Sequence, residues 1–181
     1  MKKLNLIAPV VLAVFIFSLG ACSQIDKNNA GKTSTKDSRI EMLKNRIDKD
    51  TQNYIDRNRL AYEYIQKSRV TGDLAYVLQA EGLLEQSLAI NPDVSDTQIY
   101  MGLVSLSGYR FEKALEYGNK AHRINHWAAR AYGIIGDAYK ELGDIQKARD
   151  AYYKMKAIAP GFDSLSRISG IKAQTGDIKA Q

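Results

Sequence analysis

One cysteine, Cys22, stands in a chain of 181 residues, so no disulfide can close within it and no thiolate metal site can form. The fold has to hold by packing alone, even in an oxidising compartment. Histidine is nearly as scarce, with only His122 and His126. Their i, i+4 spacing can put two imidazoles on one helix face as metal ligands, but no acidic or cysteine partner lies close in sequence. The expectation is therefore no metal, with a solvated helix end at which His122 favours the helix dipole. Trp127 is the only tryptophan and falls in a turn, which is thin support for a glycan-stacking surface. Motifs for chemistry are missing too. Gly31-Lys32-Thr33 has Asp26 where a phosphate-binding loop needs glycine. Ser169-Gly170-Ile171-Lys172 lacks the companion motifs of penicillin-binding enzymes. Asp137, Glu141, Asp144 and Asp150 read as exposed faces and helix caps, and nothing assembles a nucleophile, a base and an oxyanion site. Neither an enzyme nor a bound cofactor is expected.

What is present begins at the amino terminus. Met1-Lys2-Lys3 is positive, and Leu4 to Leu19 is apolar except at Asn5, Pro9 and Ser18. Gly20 and Ala21 then precede Cys22, the layout of a secretory signal peptide over residues 1–21. Leu19-Gly20-Ala21-Cys22 resembles the lipobox of bacterial lipoproteins. That resemblance implies a diacylglycerol thioether on Cys22, cleavage before it, and a lipid-anchored protein of the bacterial cell envelope. Ser23 stands where an inner-membrane retention signal would have aspartate, which favours the outer membrane in a host with two. Cleavage leaves enough chain for one domain with a sizeable core. It takes the net charge from +6 to +4, because Lys2 and Lys3 leave with no acid. Such a balance reads as solubility and weak attraction to anionic head groups, with no nucleic-acid partner. Residues 22–38 are almost wholly polar and read as a tether holding the domain roughly 20–25 Å from the anchor.

From residue 39 to 181 the apolar residues follow a helical period. The interval from Gly102 to Gly136 equals that from Ala114 to Ala148, and Pro92 and Pro160 stand two such intervals apart. One copy reads Tyr132-x2-Ile135-Gly136-x2-Tyr139, then Ala148-x3-Tyr152, then Pro160. This period and these residue types resemble the tetratricopeptide repeat (TPR), and the resemblance implies an all-α solenoid of helical hairpins. In the copy at residues 128–159, Gly136 is expected to let the second helix approach at Ala148. Gly143-Asp144 ends one helix and caps the next, and Pro160 stops the second. The copy at 95–125 is weaker: Gly118 replaces the usual aromatic, predicting a shallower contact. The copy at 52–91 carries about seven extra residues around Gln66 to Ala75, read as a longer second helix and a protruding turn at Thr71-Gly72-Asp73. Ile40, Leu43 and Ile47 predict a capping helix over 39–49. Residues 163–181 read as an incomplete last repeat, because Thr175-Gly176-Asp177-Ile178 restates Leu142-Gly143-Asp144-Ile145 and the sequence given stops at Gln181.

The resemblance implies that first helices line a concave groove for a peptide or partner helix. Here that lining comprises Asn58, Tyr62, Ile99, Leu103, Leu106, Arg130, Asp137 and Lys140. Ile99, Leu103 and Leu106 form an apolar stripe beside Arg130 and Lys140, suited to a partly apolar segment bearing an acidic group. The expected function is an envelope-anchored scaffold or adaptor binding an unidentified envelope protein or peptide, the alternative being a glycan- or peptidoglycan-binding accessory. A substitution Leu103→Asp is expected to abolish capture without unfolding.

Overall fold

The computed structural model describes residues 37–176; the apolar leader, Cys22, most of the tether and residues 177–181 lie outside the described residues. The chain divides between Met42 and Leu43. On the amino-terminal side, residues 37–42 are helical and Ile40 is buried. The helix continues to residue 49, so α1 covers 37–49. Seven more helices follow: α2 (Tyr54–Thr71), α3 (Ala75–Ile90), α4 (Ser95–Ser107), α5 (Phe111–Ile124), α6 (Ala129–Glu141), α7 (Ile145–Ile158) and α8 (Phe162–Thr175). No strand occurs among the described residues, and none of the described helices is long and apolar enough to cross a membrane.

Within Leu43–Thr175 the helices pack as successive hairpins, α2 on α3, α4 on α5 and α6 on α7, with α8 against α7. First helices also touch their successors, α2 on α4 and α4 on α6, so each hairpin buries its apolar face against the next. The sequence period is visible in the helix starts, because α4 to α6 and α5 to α7 span the same interval as Gly102 to Gly136. The last copy falls one position short of that interval, both from the start of α6 to the start of α8 and from Gly143 (φ 85°) to Gly176 (φ 72°).

Small residues set the spacing, but their partners differ from expectation. A methyl added at Gly136 would collide with the Tyr152 ring, so that tyrosine fills the notch where Ala148 was expected. Ala148 is fully buried one turn earlier, in a cluster with Tyr152, Ile168 and Ile171. Gly118 likewise makes a close contact and not a shallow one. A Cβ there would sit 2.8 Å from Ile135 Cγ1, because the next hairpin presses its branched side chain into the gap. The extra residues of the first hairpin also fall elsewhere than predicted. α2 has 18 residues against 13 in α4 and α6, whereas α3 has 16 against 14 in α5 and α7. Most of the insertion therefore lengthens the first helix, which ends at Gly72 in left-handed conformation with its N–H donating to Ser68 O at 2.7 Å.

Polar anchors fix the joint between α1 and α2. Asp56 is fully buried, accepts from Asn53 Nδ2 at 2.9 Å, and pairs with Arg46 at 2.8 Å and Arg59 at 3.0 Å. Asn53 caps α2 through its Oδ1, which accepts from Asp56 N at 3.0 Å.

Candidate binding groove on the first helices

Side chains from α2, α4, α6 and α8 converge on one cavity of about 240 Å³, with Met155 of α7 at its edge. Helical spacing delivers them. Tyr62, Gln66 and Arg69 lie at i, i+4 and i+7 on α2, and Ile99 and Leu103 at i, i+4 on α4. Arg130, Gly133 and Ile134 come from α6, and Asp163 and Arg167 from α8. Gly133 keeps the middle open: a Cβ there would already stand 3.3 Å from Met155 Sδ.

The walls are cationic and aromatic. Arg130 holds its guanidinium carbon 5.8 Å from the Tyr62 ring and 5.1 Å from the Tyr100 ring. Those two rings pack on each other with centroids 5.5 Å apart. Such stacking orients the guanidinium while leaving its N–H donors available. Neither Arg69 nor Arg130 meets a described carboxylate. Gln66 adds a buried Nε2 with no described acceptor, an amide donor that a ligand oxygen would satisfy.

Arg167 is engaged differently. Its Nε and Nη2 donate to Asp137 Oδ1 and Oδ2, both at 3.0 Å, and its Nη1 donates to Asp163 Oδ1 at 2.6 Å. Burial disfavours its charge, but the hydrogen bonds to Asp137 and Asp163 outweigh that and hold the guanidinium still more firmly protonated than usual. Tyr152 donates to the same Asp137 Oδ1 at 2.8 Å, and burial, followed by the Asp137 charge, pushes its hydroxyl pKa far above the ordinary tyrosine value. Asp137 is thus a half-buried structural acceptor and not part of an exposed face.

The sequence-derived lining therefore separates. Tyr62, Ile99, Leu103 and Arg130 share the cavity. Ile99 and Leu103 are only 2% and 9% exposed, so they form its floor instead of an open stripe. Leu103→Asp would put a carboxylate into that floor and unfold the hairpin, contrary to the expectation from sequence. Asn58 is buried, donating from Nδ2 to Thr97 Oγ1 at 2.7 Å, and serves the α2–α4 contact. Leu106 is half-buried and lies outside the cavity. Asp137 and Lys140 line a neighbouring cavity with Tyr152, Arg167 and Gln174, and only Arg167 belongs to both. Gln66, Arg69, Tyr100, Asp163 and Arg167 are absent from the lining expected on sequence. Gln66 and Arg69 continue the Tyr62 face by periodicity, a signal masked by reading the insertion around Gln66 to Ala75 as a longer second helix and a turn. Arg167 finds Asp137 on a different helix, α6, which no local pattern records.

Of the two histidines, His122 departs from a solvated helix end. His122 is half-buried, with Nε2 3.2 Å from the Tyr132 hydroxyl and Nδ1 buried without a described partner. His126 is exposed, its Nδ1 donating to His122 O at 2.7 Å. Among the described residues no group of three or more His, Cys, Asp or Glu is placed to hold a metal ion.

By sequence the chain matches no protein-family model and no curated protein. Solved structures do resemble it. TTC0263, a thermophilic TPR protein of Thermus thermophilus, aligns with a TM-score of 0.69 at 19% identity, over 78% of this chain and 75% of its own. MamA aligns at 0.63 and 20% identity, over 80% and 81%. The first TPR domain of Spaghetti (RPAP3), bound to the HSP90 peptide SRMEEVD, aligns at 0.59 and 16% identity, over 70% and 96%. At these identities the likeness is one of fold, and the fold is an all-α, TPR-like α-solenoid.

Proposed function

We propose that this chain is a membrane-anchored, non-enzymatic scaffold or adaptor of the bacterial cell envelope, and that it holds a partner segment bearing an acidic group in the cavity on its first helices. The observation that carries this reading is the cavity's donor set: two guanidiniums without carboxylate partners among the described residues, Arg69 and Arg130, beside the unpaired Gln66 amide. Burying such donors beside a carboxylate gains charge-assisted hydrogen bonds, whereas an uncharged apolar segment would leave them unmet. The buried floor of Ile99 and Leu103 provides apolar contact for the rest of the segment. The peptide SRMEEVD, held by a structurally similar domain, carries acidic residues of this kind. Anchoring rests on the leader and the lipobox at Cys22, with Ser23 favouring the outer membrane.

Anchor and groove are tested separately. Cys22→Ser is expected to release the protein from washed membranes, and full retention would remove the lipoprotein part of the proposal. Arg130→Ala, an exposed position, is expected to weaken binding of a fluorescent SRMEEVD peptide about tenfold, the scale of one lost charge-assisted contact. Equal affinity in both proteins would remove the groove.

A further inference from the structure

A second cavity, of about 300 Å³, lies on another set of helices, lined by Asn119 and His122 of α5, by Tyr132, Ile135 and Tyr139 of α6, and by Lys147, Asp150 and Lys154 of α7. Two matched rungs run along it. Lys154 Nζ stands 5.7 Å from the Tyr132 ring centre, and Lys147 Nζ stands 5.2 Å from that of Tyr139. In each helix the two residues are seven apart, so the antiparallel pairing of α6 and α7 sets both lysines over tyrosines in one register. Two turns of helix separate the rungs by about 10 Å.

The charge on this face is lopsided. Along the cavity Lys147 and Lys154 of α7 stand against a single acid, Asp150, whose Oδ1 accepts from Gln146 Nε2 at 3.4 Å. Lys147 also pairs with the capping Asp144 at 2.7 Å, whereas Lys154 meets no described carboxylate. At the Lys154 end, the Tyr132 hydroxyl and His122 Nε2 are 3.2 Å apart. With the proton on Nε2, the imidazole donates to the tyrosine oxygen and leaves the phenolic proton free to donate to an anion. Burial first, then the neighbouring His126 and Lys154, lowers the pKa of that imidazole, which favours its neutral form.

We propose that this cavity is a second binding site, distinct from the first-helix groove, and that it takes an extended acidic polypeptide segment through the Tyr132–Lys154 and Tyr139–Lys147 rungs. The spacing selects the ligand class. Carboxylates three residues apart on a polyproline-II segment, which has three residues per turn, stand on one side about 9 Å apart and meet both rungs, whereas a single phosphate meets only one. This site goes beyond the groove reading and does not depend on it.

The test uses the full chain in detergent with fluorescein-labelled hexaglutamate, read by anisotropy and by the His122 ring signals in a ¹H–¹⁵N spectrum. Binding is expected to shift the His122 signals. Lys154→Gln, at an exposed position, is expected to weaken hexaglutamate about tenfold, and Tyr132→Phe, which keeps the ring, by about threefold. Arg130→Ala is expected to leave the His122 shift unchanged, which separates failure here from failure of the groove. The proposal is overturned by unmoved His122 signals, by equal affinity in Lys154→Gln, or by inorganic phosphate shifting His122 as strongly as hexaglutamate at equal concentration. Phosphatidylglycerol vesicles that shift His122 while hexaglutamate does not would equally overturn it, in favour of a lipid surface.

Discussion

Glycines at equivalent-looking positions carry opposite roles in this chain, and space decides which. Gly136 receives the Tyr152 ring, whereas nothing lies within 4 Å of where a Cβ on Gly170 would be. Gly136→Ala is expected to destabilise the fold by roughly 1–3 kcal/mol through overpacking. Gly170→Ala, within α8, is expected to stabilise it by about 0.5–1 kcal/mol by restricting the unfolded backbone. Opposite shifts of the urea midpoint are the signature, and a shared direction would refute this packing. His122 makes a pH prediction at the same scale. Burial, His126 and Lys154 lower its pKa in the folded state, while the unfolded chain keeps the ordinary 6.5. Unfolded protein therefore binds the proton more readily, so this contribution to stability is present above pH 6.5 and is lost as pH falls toward the lower folded value. His122→Gln is expected to flatten the fall in urea midpoint between about pH 7.5 and about pH 5.5. An unchanged slope would show that the histidine titrates alike in both states. Neither effect was legible in sequence: a glycine's letter does not say what faces it, and His122 is shifted first by its burial and then by charges that include Lys154 of the next hairpin.

The turns inside hairpins show how far repeat logic governs single elements. Gly143 closes α6 in left-handed conformation, and Tyr109, at the equivalent place in the preceding copy, does the same job at φ 56°. Tyr109 is 80% exposed and meets Phe111 edge-on with ring centres 6.1 Å apart, a contact too small to offset a left-handed tyrosine. Tyr109→Gly is expected to stabilise the chain by about 1 kcal/mol, measured by thermal or urea unfolding. A loss of stability would mean that the ring contact outweighs the backbone strain. Element types were readable because caps and period are local: Asp144 does accept from Lys147 N at 3.1 Å, as its place before α7 implied. The length of α2 was not readable. Its extra turns hold polar Gln66 and Arg69, whose place on the Tyr62 face was hidden by assigning the inserted length to the second helix.

For the whole molecule, the solenoid was legible because repeating contacts leave a repeating pattern in the sequence. The binding face was only partly visible, since it is made by four helices whose residues run from Tyr62 to Arg167. Tyr62 and Arg130 could be placed on first helices one by one. That Tyr100 would join them, and that Arg167 would be occupied by Asp137 and Asp163, follows only from the packed arrangement. Under the proposed function, the lipid on Cys22 sets the location and the cavity selects the partner. The most direct measurement is photo-crosslinking in the native envelope, with a photoreactive residue at exposed position 162, next to the cavity residue Asp163, or at exposed position 78 on α3. One predominant protein adduct is expected from position 162, lost when Arg130→Ala is added and absent from position 78. The same adduct from both positions, or one indifferent to Arg130, would contradict a partner-selecting groove.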